Sequence, residues 1–87
     1  MEKIAFKNCT GAGLQIVIEP IGENYFIEPG CEVELRGDLG LDNGKSLDIH
    51  LEKGFEGAEL ALVFFTSEET IVIKNGLAIA PPSPKVA

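Results

Sequence analysis

The sequence predicts an all-β protein, an antiparallel β-sandwich or small flattened barrel of seven to eight short strands. Three observations carry this. Apolar residues alternate with polar ones at a period of two in several runs, no segment repeats at a helical period, and Gly or Pro breaks the chain about every ten residues. Short strands at that spacing define sandwiches and small barrels. Residues 1–80 read as a single β domain and 81–87 as a Pro-rich flexible tail.

Taken in order, Lys3–Asn8 reads as a first strand with Ile4 and Phe6 inward. The turn Thr10-Gly11-Ala12-Gly13 follows, with the Asn8 and Thr10 side chains suited to bonding turn backbone. The stretch from Leu14 to Gly37 then holds three extended runs and reads as a β-meander. It opens on Leu14, Ile16 and Ile18 alternating with Gln15, Val17 and Glu19, and closes on Cys31, Val33 and Leu35 alternating with Glu32, Glu34 and Arg36. Glu19-Pro20-Ile21-Gly22 suits a type I turn, and Glu28-Pro29-Gly30-Cys31 a type II turn, which needs positive φ at its third residue.

Asp38, Asp42 and Asn43 read as turn formers in the most polar break, because an EF-hand loop started at Asp38 would lack its central Gly and its closing Glu. Leu47–Glu52 follows, with Leu47, Ile49 and Leu51 inward. Ala58–Phe65 is apolar on both faces, the pattern of a strand central in a sandwich or half covered by another molecule. Thr70–Lys74 and Leu77–Ala80 flank Asn75-Gly76, the strongest short hairpin signal, favouring a type I′ turn. The expected core is Ile16, Ile18, Val33, Leu35, Ile49, Leu51, Leu60 and Leu62.

Composition bounds function by exclusion. At 87 residues the chain suffices for one domain, and 45% apolar residues exclude a disordered chain. A net charge of −7 argues against nucleic acid and anionic membranes, and leaves open a basic protein partner or a cation. The opening MEKIAFKNCTG carries charges inside its apolar stretch and does not read as a signal peptide, so a cytoplasmic protein is expected. In that compartment Cys9 and Cys31 are expected as free thiols, Cys31 as a small buried hydrophobe, and the Asn8-Cys9-Thr10 sequon as unmodified.

No motif points to catalysis. Ser46, Ser67 and Ser83 lack any mark of activation, and an 87-residue sandwich has little room for a sugar cleft. Gly11-x-Gly13 lacks the third Gly of a dinucleotide fingerprint. No cofactor is expected. Asp48, His50 and Glu52 share one face of a strand, about 6.5–7 Å apart, and are weak metal candidates needing carboxylates such as Glu32 and Glu34 from a neighbouring strand.

The expected role is therefore a non-catalytic protein-interaction module that self-associates as a dimer. Val17, Phe26, Val63, Phe65 and Val72 are the interface candidates, unless turns bearing Phe55 and Ile21 lie over that face as lids. The alternatives are an acidic inhibitor or immunity-type partner of a basic enzyme, and a small metal- or ligand-binding barrel.

The run Asn8-x-Thr10, Leu14, Glu19-Pro20-x-Gly22-Glu23 and Pro29-Gly30 resembles a recurrent pattern in small bacterial single-domain all-β proteins. The resemblance covers residues 4–37 and, more loosely, the hairpin at Asn75-Gly76. Such proteins often carry Trp after the Glu-Pro pair, where Ile21 stands here. What the resemblance implies is a fold and no activity. More distantly, the layout looks like the β-sandwich domains that serve as protein-recognition modules, at the level of fold alone.

Overall fold

The structure, a computed structural model, describes residues 2–37, 39, 47–55, 57–66 and 70–80. Expectations placed on Asp38, Asp42, Asn43, Ser46, Ser67, Ser83 and the 81–87 tail lie outside the described residues. The chain is all-β, with strands β1 (Glu2–Lys7), β2 (Leu14–Glu19), β3 (Glu23–Ile27), β4 (Glu32–Gly37), β5 (Asp48–Lys53), β6 (Leu60–Phe65), β7 (Thr70–Lys74) and β8 (Leu77–Ile79). They form two four-stranded sheets, ordered β1-β4-β7-β8 and β3-β2-β6-β5.

The meander expected over Leu14–Gly37 does not form. β2 and β3 make a hairpin, but β4 leaves their sheet and pairs with β1 and β7. The Glu28–Cys31 turn is type II as expected, with Gly30 at φ +84° and the Cys31 N–H donating to the Glu28 carbonyl at 3.2 Å. That turn carries the chain from one sheet into the other, because the apolar faces of β3 and β4 must meet across the core. The Glu19–Gly22 turn is not type I: its Glu19–Pro20 bond is cis, and the Gly22 N–H donates to the Ile18 carbonyl at 2.7 Å. Asn75 (φ +50°) and Gly76 (φ +84°) both adopt positive φ, the conformation a type I′ hairpin requires. Of the six strand pairings, five are antiparallel; β2 and β6 run parallel, which places the doubly apolar β6 second from the sheet edge.

The sheets are staggered by one strand. The Phe6 ring of β1 stacks on Phe64 of β6 with centroids 5.9 Å apart. At the far side Lys74 of β7 donates to Glu28, just past β3, at 2.9 Å. Hence β1 lies over β6, β4 over β2 and β7 over β3, leaving β5 and β8 on opposite flanks with no strand of the other sheet above them among the described residues. The core is built from Leu14, Ile16, Ile18, Tyr25, Ile27, Val33, Leu35, Phe64 and Val72.

Four of the eight expected core residues, Ile16, Ile18, Val33 and Leu35, are fully buried, and Leu62 packs against them half-buried. Ile49, Leu51 and Leu60 are exposed instead. They do lie on the inward side of the sheet, as their alternation predicts, since Ile49 pairs with Phe64 and Leu51 with Leu62. The stagger is what leaves them uncovered.

Candidate interaction surfaces

Sequence order places the polar Asp48, His50 and Glu52 on one face of β5 and Ile49 and Leu51 on the other, so β5 is amphipathic. An amphipathic edge strand ordinarily buries its apolar side, yet all six residues of β5 are exposed, Ile49 at 47% and Leu51 at 65%. Among the described strands its ladder partner is β6 alone. The far flank has a smaller counterpart in Leu77, 72% exposed on β8.

The outer face of the second sheet was the expected interface, and the chain covers much of it itself. Val63 is buried and Val17 half-buried, and both line a shallow hollow of about 320 Å³ together with Phe55, Ala61 and Phe65. Phe55, the expected lid, is 45% exposed at the rim of this hollow, its N–H donating to the Gln15 side-chain oxygen at 3.2 Å. Ile21, the other expected lid, is exposed. Phe26 lies half-buried over Gly13, where a Cβ would stand 2.6 Å from the end of its ring. Val72 is corrected outright: it is 1% exposed and part of the core, because β7 pairs with β4 so that Val72 shares the inward face of Leu35. Of the five interface candidates only Phe65, 40% exposed, presents substantial surface, and its ring rests against His50 at 4.7 Å between centroids.

The weak metal candidates gain no help from β4. Glu32 and Glu34 belong to the other sheet, where Glu34 pairs with Lys3 at 3.8 Å and with Arg36. Among the described residues no three His, Cys, Asp or Glu side chains stand close enough together to hold a metal ion. The outer face of the first sheet carries a second shallow groove, of about 540 Å³, whose polar lining is Glu32, Glu34 and Arg36.

Two polar contacts join the sheets at one end of the sandwich, on either side of the Glu28–Cys31 turn. Asn8 is buried, its side-chain N–H groups donating to the Ala12 carbonyl at 2.8 Å and the Ile27 carbonyl at 3.1 Å. Its side-chain oxygen accepts from the Thr10 N–H at 3.1 Å and lies 2.7 Å from the Thr10 hydroxyl. The local half of this network follows from the sequence. The bond to Ile27, nineteen residues away in the other sheet, does not. An Asn so engaged has no free amide for a glycan in the folded chain, whatever the compartment. Beside the same turn Lys74 bridges the sheets to Glu28. Burial pushes the Glu28 carboxyl up, but the Lys74 hydrogen bond, a backbone N–H and the Lys74 charge together outweigh it and hold the group below its ordinary value. Both cysteines are free thiols, Cys9 exposed; Cys31 is half-buried in the turn before β4, not inside a strand, and accepts from the Asn75 side-chain amide at 3.4 Å.

Fold and surfaces together define a small, staggered, eight-stranded β-sandwich whose second sheet ends in an uncovered amphipathic strand. No family model, curated protein or solved structure matches the chain. Among the described residues no helix is long and apolar enough to cross a membrane.

Proposed function

We propose that the protein is a non-catalytic interaction module that self-associates, and that the contact lies on the β5 flank rather than on the Phe65 face. The observation that supports this is the state of β5, an ordered strand with Ile49 and Leu51 left open to water on its inward side. Adjacent apolar side chains aligned on a sheet edge mark interaction sites, because covering them removes apolar surface from water. A second copy is the simplest cover, since one patch then serves both partners. The charge of −7 on each chain opposes association, so the contact is apolar at its centre and weak. Sedimentation equilibrium tests the reading: the mass should rise from one chain toward two with concentration. A single-chain mass throughout would end it.

A further inference from the structure

Resting on that reading, we infer that the two copies pair edge to edge through β5, antiparallel and two-fold symmetric about Leu51, joining their second sheets into one continuous eight-stranded sheet. β5 is the edge of its sheet, and no strand of the first sheet lies over it among the described residues. Its outer backbone edge and its inward face are therefore open together. An unpaired edge is a template for another strand, and a pairing that also covers Ile49 and Leu51 uses both features.

The sequence of β5 selects the register. In an antiparallel pair, opposed residues point to the same face, so self-pairing must match odd positions with odd and even with even. Four symmetric arrangements do this near the middle of the strand, of which the one centred on Glu52 sets that carboxylate against its own copy and pairs only Leu51–Lys53 within β5. Centred on His50, the pairing sets Asp48 against Glu52 of the other copy twice and His50 against itself, juxtaposing like charges. Centred on Ile49, residue i meets residue 98 − i, so only Asp48–His50 of the six strand residues find a partner within β5. Centred on Leu51, residue i meets residue 102 − i, and the five residues Ile49–Lys53 all pair within the strand.

The Leu51-centred register is also the one that complements chemically along its whole length. Leu51, the most exposed apolar residue of β5, meets its own copy at the centre. Ile49 lies against the aliphatic stem of Lys53 from the other chain, whose ammonium remains in water. On the outer face His50 opposes Glu52 twice, so the only cross-strand pairs of titratable groups are acid with imidazole. Just past β5 the Phe55 N–H donates to the Gln15 side-chain oxygen of β2, on the side of β6 away from this edge.

Cysteine cross-linking and a charge swap read the register directly, in a Cys9→Ser/Cys31→Ser background. Leu51→Cys should form a disulfide-linked dimer under mild oxidation. Ile49→Cys should not, since its copy lies four residues along the paired strand, about 13 Å away and beyond the reach of about 7 Å between α-carbons. His50→Glu should weaken the dimer about tenfold or more by facing Glu52, and His50→Glu/Glu52→His should restore it to within about threefold. All these positions are exposed, and unchanged β-sheet circular dichroism checks that each variant folds. The wild-type mass comes first, measured from about 10 μM to about 1 mM because two short strands form an interface at the small end of the range. A single-chain mass overturns self-association and this pairing together. A dimer in which Leu51→Cys stays unlinked, or Ile49→Cys links instead, or the double swap restores nothing, overturns the edge pairing alone.

Discussion

Replacing Asn8 tests whether one buried side chain ties the two sheets together. In Asn8→Ala, the Ala12 and Ile27 carbonyls each lose the Asn8 donor, the Ala12 carbonyl keeping the Thr10 hydroxyl, and the Thr10 N–H loses its acceptor. The Ile27 bond is fully buried and costs about 1–3 kcal/mol when left unmade; the other two are partly buried, at about 0.5–1 kcal/mol each. The sum is about 3 kcal/mol, a large share of the stability of a domain this size. Asn8→Asp keeps the shape but turns an oxygen toward both carbonyls, and ionisation buries a charge there. The folded-state carboxyl of that variant is raised above its unfolded value of about 4, so the ionised form favours unfolding. Its deficit relative to wild type is smallest near pH 4 and grows as pH rises toward neutrality. Urea denaturation followed by circular dichroism, at several pH values for all three proteins, measures this. An Ala cost below about 1 kcal/mol, or an Asp deficit flat between pH 4 and 7, would refute the account of Asn8 as the link between sheets.

Truncation separates the sandwich interior from its open flank: Val33→Ala should lose about 1.5–3 kcal/mol, while Leu51→Ala should change the stability of the monomer by less than about 0.5 kcal/mol, both by chemical denaturation. The Glu28–Lys74 bridge contributes stability present above the unfolded Glu value of about 4.3 and lost as pH falls through the lower folded value, because the folded state holds the carboxylate. Glu28→Gln should remove that part of the acid dependence at a cost of about 1 kcal/mol at neutral pH, the bridge being only partly buried. Thiol titration should find two thiols in the unfolded chain and, in the folded one, fast reaction at exposed Cys9 with slower reaction at half-buried Cys31. A single fast phase for both would place Cys31 in water.

Local chemistry settled the pieces of this protein from sequence. Period-two alternation locates the strands to within about two residues, and Pro-Gly and Asn-Gly specify turns that form as read, because φ demands at Gly30, Asn75 and Gly76 are met within four residues. Alternation also assigns Ile49 and Leu51 to the inward side of their strand, which is where they lie. What alternation cannot report is whether anything stands opposite. That depends on which strands share a sheet and how far the sheets slide past one another. The departure of β4 to the first sheet, the parallel meeting of β2 with β6 and the stagger of one strand are long-range choices made by core packing. They send Val72 from the expected interface into the core and leave β5 exposed. The candidate site is thus legible in the sequence as an amphipathic strand, and only the tertiary offset turns that strand into an open edge, because burial belongs to pairs of surfaces and a sequence writes one surface at a time.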